Sequence, residues 1–324
     1  MLEKAIFQIS NEIEFEAVAL QLFQYQYEHV KIYQDFCNHL HKNPDTVKTI
    51  NTIPFLPIEF FKSHQVLSSE KSASILFTSS GTTGTNLSNH FVASLPLYEE
   101  SFLGAFQLTY GNPREWTILA LLPSYLEREG SSLIYMVQKL IEKTENQNSG
   151  FYLNNLDALI QKIEHQEATA KKTLLIGVSY ALLDLIEKKH FKLKYTTILE
   201  TGGMKGKRKE LIKSELHDLL KSGFGVTKID SEYGMTELLS QAYSVGDGLF
   251  KTPPWMKILT RDTEDALTLV TEKTGGINVI DLANLYSCSF IATQDLGKVY
   301  ADGSFEILGR FDTSDIRGCN LMVL

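Results

Sequence analysis

The sequence predicts an α/β protein, with largely parallel sheets covered by helices over residues 1–245 and a small β subdomain with a tail over 246–324. Three observations carry that prediction. Apolar strand-like runs alternate with helical patterns through most of the chain, at the spacing that parallel strands with crossover helices require. The polar, glycine-bearing loops follow strands, the edge at which open α/β sheets bind ligands. From about Gly246 the pattern changes to short alternating runs with few helix signals, and Asp302-Gly303 between two of them is a strong hairpin signal.

Taken in order, Asn11-x-x-Glu14 caps a helix bearing Phe15, Val18 and Leu22 on one face, and Tyr33, Phe36 and Leu40 continue the pattern. The helices end near Asn43-Pro44, because the residue before a proline is steered out of the helical region. In Ile53-Pro54-Phe55-Leu56-Pro57-Ile58-Glu59-Phe60-Phe61-Lys62 the two prolines preclude a regular helix and predict an extended apolar strap. Ile75-Leu76-Phe77 reads as a strand. Ser94-Leu95-Pro96 starts a helix through Glu99, Phe102 and Phe106 that Gly111 and Pro113 end. Thr117 to Leu122 reads as a buried strand, followed by a polar loop through Ser132 and a helix bearing Leu133, Val137, Leu140 and Ile141. The alternation continues with a strand Leu174 to Val178, a helix around Leu182 to Ile186 and a strand Thr196 to Leu199. A basic helix then leads to Val226-Thr227-Lys228-Ile229. The β runs beyond are Ala266 to Thr271, Ile277 to Asp281, Ser289 to Thr293, Lys298 to Tyr300 and Ser304 to Leu308.

At 324 residues and 43% apolar content the chain can bury a sizeable core, and no internal repeat interrupts it. A formal charge of -8 excludes nucleic acid and anionic membrane surfaces as expected partners. The basic stretch Lys205-Gly206-Lys207-Arg208-Lys209 reads either as a solvated helix start or as a phosphate-facing loop. Cys37, Cys288 and Cys319 are too widely spaced for a metal pattern, and their odd number argues against a disulfide framework. A charged, amphipathic N-terminus and the lack of any apolar run of membrane-spanning length make the cytoplasm the expected location.

Two stretches carry chemistry. In Thr78-Ser79-Ser80-Gly81-Thr82-Thr83-Gly84 the glycines let the backbone turn tightly and approach a ligand, while hydroxyls and N–H groups can face an anion. No Gly-Lys-Ser/Thr ends the stretch, so it is not a P-loop, and alone it reads as readily as a surface connection. Ser231-Glu232-Tyr233-Gly234-Met235-Thr236-Glu237 adds an aromatic ring, a glycine, a hydroxyl and a carboxylate, which suit base stacking, phosphate contact and magnesium.

Together these stretches resemble the adenylate-forming (acyl-activating) enzyme superfamily, and the N-terminal domain of that superfamily is the fold the resemblance implies. It further implies that Thr78 to Gly84 wrap the phosphates of ATP, that Gly202 and Gly203 form the adenine-contacting turn and that Tyr233 stacks on adenine. Thr236 would touch the α-phosphate and Glu237 would hold Mg2+. Thr293-Gln294-Asp295-Leu296-Gly297 resembles the ribose motif, with Asp295 as acceptor, and Arg310 in Leu308-Gly309-Arg310-Phe311-Asp312 falls before the family's hinge. The ordinary reading is a turn-forming side chain for Asp295 and a structural ion pair for Glu237. Many relatives place a lysine shortly after the glycine loop, where this chain has Thr85 to His90, so His90 or a lysine elsewhere is expected to act instead.

Ile53 to Lys62 resembles the opening of LuxE-type acyl-protein synthetases and of phenylacetate-CoA ligases. The superfamily's mobile lysine-bearing domain after the hinge is expected to be absent, since the sequence stops at Leu324. That form is similar to the LuxE type, which implies activation of a fatty acid as its adenylate, transfer to a cysteine near the C-terminus and delivery to an acyl-reductase or other acceptor protein. Cys319, beside Gly318 and Arg317, matches that tail position. Two alternatives stay open: an acyl- or aryl-CoA ligase completed by a second polypeptide, and a nucleotide-binding subunit without chemistry.

Overall fold

The computed structural model describes residues 2–79, 87–123, 129–202, 208, 211–246 and 248–311. They fall into two units: Ser74–Pro253 forms one, and Met1–Ala73 with Pro254–Leu324 forms the other. The sequence boundary expected at 245/246 thus stands beside chain crossings at 73/74 and 253/254.

The sheet of the unit Ser74–Pro253 runs, in order, Gly150–Phe151, Thr117–Leu121, Thr173–Val178, Thr196–Thr201 and Asp230–Tyr233, all parallel. Ala242–Ser244 pairs antiparallel with Asp230–Tyr233, and Phe250–Lys251 with Ala242–Ser244. Thr117–Leu121 and Thr173–Val178 are buried at every position, which is why they read as continuous rather than alternating apolar runs. Parallel neighbours need crossovers, and helices Ser132–Thr144, Leu156–Ala168, Ser179–Lys188 and Lys213–Phe224 supply them. Their starts are set by short polar side chains: Ser131 accepts from Ile134 N and Asn155 from Ala158 N. Leu95–Tyr110 begins at an N-capping Ser94 and ends at Gly111, whose φ of 80° only glycine adopts without strain. A separate antiparallel hairpin pairs Ile75–Thr78 with Asn89–Val92.

The last parallel strand is Asp230–Tyr233, just beyond the Val226–Ile229 stretch to which the basic helix was expected to lead. Helix Lys213–Phe224 ends on Gly225 in the left-handed conformation, and the N–H groups of both Gly225 and Val226 return to the carbonyl of Lys221. That cap occupies Val226, so the strand begins further along.

In the other unit Leu269–Val270, Met256–Arg261, Gly275–Asp281, Phe290–Val299 and Phe305–Arg310 form an antiparallel sheet in that order. Leu56–Pro57 joins it parallel to Ile291 and Ala292, at an edge where proline removes no ladder bond. The strap thus contains a short strand, and the extended reading ends before Glu59, which is already helical and leads into the turn Phe60–Ser63. Helices Glu12–His29 and Lys31–His39 lie against this sheet, with Phe23, Tyr33 and Phe55 all in ring contact with Phe290. The buried Gln26 amide donates to the carbonyls of Asn284 and Leu285 at 3.0 Å each, so a polar side chain from helix Glu12–His29 is satisfied by the C-terminal half of the chain. The runs read as Ser289–Thr293 and Lys298–Tyr300 are parts of one strand of 10 residues, Phe290–Val299. The Asp302-Gly303 turn is as expected: Gly303 has φ 81° and Asp302 Oδ1 accepts from Ser304 N at 3.0 Å. Met256–Arg261 was not foreseen, although its buried positions Met256, Ile258 and Thr260 alternate.

Candidate functional site

In the unit Ser74–Pro253 the candidate residues cluster where strands end. Thr78 closes the first hairpin strand, and its N–H donates to the carbonyl of Gly130 at 2.8 Å. Ser79 N donates to Ser88 O at 3.1 Å and Ser88 N donates to Ser79 Oγ at 3.0 Å, so the Ser79 hydroxyl clamps the base of the glycine-rich loop. Ser80, Gly81, Thr82, Thr83 and Gly84 lie outside the described residues.

His90 sits opposite Phe77 in that hairpin and is fully buried. Its Nδ1 donates to the carbonyl of Thr236 at 2.8 Å, a bond spanning 146 positions. The return strand of the glycine-rich loop is thereby tied to the Tyr233–Glu237 turn. The ring takes the place of no lysine at Nδ1, since that nitrogen is committed to the backbone.

Tyr233, the last residue of its strand, is buried, with its ring set against Phe250 at 5.9 Å and 60°. A Cβ at Gly234 would stand 2.4 Å from Glu232 Oε1, so a side chain there would displace the Glu232 carboxylate. Glu232 in turn accepts from the Thr201 hydroxyl. The carboxylate thus joins the two strand ends that carry Gly202 and Tyr233. Gly202 has φ 65°, and its carbonyl accepts from Ser179 Oγ at 2.6 Å. Gly203 lies outside the described residues. Thr236 is half-buried, and Glu237 is 6% exposed. A single carboxylate fits Mg2+, which takes one or two protein carboxylates with phosphate and water oxygens completing its shell. Among the described residues no group of three or more His, Cys, Asp or Glu is arranged to hold a metal.

Beneath Gly202 lies a charged cluster that sequence reading missed. Glu200 Oε1 is 3.5 Å from both Lys213 Nζ and His217 Nε2, and Ser179 Oγ donates to Glu200 Oε2 at 3.3 Å. Burial pushes the Glu200 carboxyl up, but His217, Lys213 and Ser231 outweigh it and leave the group below its ordinary value. Burial draws Lys213 down, and its ammonium rests over the Phe250 ring at 4.1 Å from the centroid. The legible signal was Lys213 and His217, four apart on one helix face.

In the other unit Asp295 lies directly opposite Arg310 in the ladder, with Arg310 Nε donating to Asp295 Oδ1 at 2.9 Å. Asp295 is buried in strand Phe290–Val299, which replaces the turn-forming reading, whereas the Arg310 side chain is 71% exposed. Burial holds both described cysteines as thiols: Cys37 is pushed up to about 12, and Cys288 is pushed up as well. Cys319 lies outside the described residues. Among those described, no helix is long and apolar enough to cross a membrane.

Residues 5–93 match the family model of the acyl-protein synthetase LuxE. Comparison with curated proteins gave no match. Among solved structures, ATP-bound MatB from Rhodopseudomonas palustris superposes with a TM-score of 0.55 at 17% identity, over 72% of this chain and 47% of that one. An open conformation of 2-hydroxyisobutyryl-CoA ligase, in complex with 2-HIB-AMP and CoA, gives 0.67 at 12% identity, over 94% of this chain and 72% of that one. MenE from Bacillus subtilis, in complex with ATP and a magnesium ion, gives 0.51 at 18% identity, over 72% and 49%. The chain spans about half the length of the MatB and MenE structures. These neighbours are adenylate-forming enzymes, and the fold expected from the sequence is the fold found.

Proposed function

We propose that the protein activates a carboxylic acid with ATP, forming an acyl-adenylate, and passes the acyl group to a protein cysteine. The observation that carries the reading is the His90–Thr236 bond, which holds the base of the glycine-rich loop against the Tyr233–Glu237 turn within one unit. The LuxE match over residues 5–93 and the shared fold of the adenylate-forming neighbours support the same reading.

In this reading a carboxylate oxygen attacks the α-phosphorus of ATP, pyrophosphate leaves and the mixed anhydride remains. Two anions must meet, so the residues have to offset repulsion. Donors of the Thr78–Gly84 loop hold the phosphates, the Thr236 hydroxyl donates to the α-phosphate, and Tyr233 with the Gly202–Gly203 turn seats the adenine. Glu237 would hold Mg2+, which supplies charge neutralisation at the phosphates. For Asp295, in the other unit, the resemblance supports the role of acceptor for ribose hydroxyls, and for Arg310 a place before the family's hinge. The thiolate of Cys319 then attacks the acyl carbonyl, AMP leaves with the bonding electron pair, and a thioester forms. Cys37 and Cys288 are poor acceptors, because burial keeps their thiols protonated. A fatty acid is the substrate class the LuxE match favours, and an acyl-reductase is the kind of protein that would consume the thioester.

Intact mass after incubation with ATP, magnesium and a panel of carboxylic acids tests the proposal. A gain of one acyl group in a hydroxylamine-labile linkage is expected with a fatty acid. ATP-dependent release of pyrophosphate with none of the acids would overturn it, and release of acyl-CoA on adding coenzyme A, with no protein adduct, would replace the acceptor.

A further inference from the structure

Strand Met256–Arg261 ends on an arginine that is only 8% exposed. Arg261 Nη1 donates to the carbonyl of Ile277 at 2.7 Å and to Asn278 Oδ1 at 2.8 Å, and Nη2 donates to the carbonyl of Thr293. Its Cζ lies 5.5 Å from the centroid of the Phe311 ring. These acceptors surround an irregularity, because the pairing of Gly275–Asp281 with Phe290–Val299 shifts register between Gly276 and Asn278. Gly276 faces Arg261 in the ladder, and a Cβ there would stand 2.6 Å from the guanidinium carbon. The glycine is what lets the arginine cross the sheet.

A buried guanidinium is costly unless its donors are met, and a packed apolar side chain is often no less stable. What this one organises is the stretch Thr293–Gly297. Thr293 gives its carbonyl to Arg261 and its hydroxyl both to Ile277 O, at 3.0 Å, and to Asp295 N, as acceptor, at 3.1 Å. The Gln294 carbonyl accepts from Phe311 N at 2.8 Å, and the Gln294 side chain reaches Glu59. Asp295 and Glu59 also act on Arg261 electrostatically, partly opposing the lowering that burial imposes on it.

We propose that Arg261 is the positioning residue for the Asp295 carboxylate: by pinning the bulged strand and stacking on Phe311, it sets that carboxylate to accept from the vicinal hydroxyls of a ribonucleotide. The inference rests on the ribose role given to Asp295 above. Arg310 reaches the same carboxylate with a side chain that is 71% exposed, whereas Arg261 is the buried member of the pair of arginines.

The test compares dissociation constants of magnesium-ATP and magnesium-2′,3′-dideoxy-ATP by calorimetry, for the unaltered protein, Asp295→Asn, Arg261→Met and Gly276→Ala. The unaltered protein should prefer ATP by about tenfold or more, the worth of charge-assisted bonds to two hydroxyls. Asp295→Asn and Arg261→Met should both lose that preference while binding the dideoxy nucleotide as before. Gly276→Ala displaces the guanidinium without removing it and should do the same, so it decides the matter if Arg261→Met does not fold. Retention of the full preference in the folded Arg261 or Gly276 variant would overturn the proposal, as would equal weakening of both nucleotides, the mark of a merely structural role. If the unaltered protein shows no preference, or Asp295→Asn keeps it, the ribose reading of Asp295 itself fails and the proposal goes with it.

Discussion

Replacing His90 with leucine tests whether the glycine-rich loop and the Tyr233–Glu237 turn depend on one another. The side chain is fully buried, and its Nδ1 donates to the Thr236 carbonyl at 2.8 Å. Leucine fills a comparable space but leaves that carbonyl without this donor, at a cost of about 1–3 kcal/mol. For a unit of this size such a loss lowers the unfolding temperature by roughly 2–12 °C. The two tryptophans, Trp116 and Trp255, fall one in each unit, so fluorescence in a Trp255→Phe background reports on Ser74–Pro253 alone. Magnesium-ATP affinity is read in parallel. The carbonyl belongs to Thr236, whose hydroxyl is assigned to the α-phosphate, so affinity should fall together with stability. A variant that unfolds earlier yet binds ATP unchanged would show that the bond supports the fold but not the site, and the reasoning would be wrong.

Further outcomes follow from the same geometry. Glu237→Gln keeps the shape of a nearly buried side chain while removing its charge, and should abolish most pyrophosphate release with little change in unfolding; near-normal turnover would sink the metal assignment. Asp295→Ala should weaken ATP binding by about 1.5–3 kcal/mol, checked by calorimetry. Cys319→Ser should still release pyrophosphate but form no hydroxylamine-labile adduct, whereas Cys37→Ser and Cys288→Ser should keep it, as mass spectrometry will show. The carboxyl of Glu200 lies below its ordinary value in the fold, so its contribution is present above the unfolded carboxylate range and is lost as pH falls through that range and below. Glu200→Gln should therefore flatten the acid limb of stability against pH; an unchanged limb would place acid sensitivity elsewhere.

The sequence by itself determined whatever depends on neighbours in the chain. Buried runs such as Thr117–Leu121 and Thr173–Val178, the helix starts at Asn11 and Ser94, and the turn at Asp302-Gly303 are local matters of periodicity, side-chain oxygens and allowed φ, and they are found where they were read. The stretches Thr78–Gly84 and Ser231–Glu237 stood out in the sequence because glycine, hydroxyl and carboxylate chemistry is concentrated in them, whereas Asp295 was singled out only by a family resemblance. Tertiary structure decided the rest. The beginning of the chain joins its end in one unit, with Leu56–Pro57 pairing Ile291 and Ala292 and Gln26 answering Asn284 and Leu285, and no local pattern announces a partner so far along the chain. His90 was one of two candidates for the donor that relatives take from a lysine, and only the approach of a distant carbonyl makes it a tie. Arg261 drew no reading from the sequence, because the strand that carries it, Met256–Arg261, was not foreseen. Its importance arises because a register shift beside Gly276 exposes carbonyls on a neighbouring strand, and a shift of that kind is settled by pairing between strands, which residues within either strand do not encode alone.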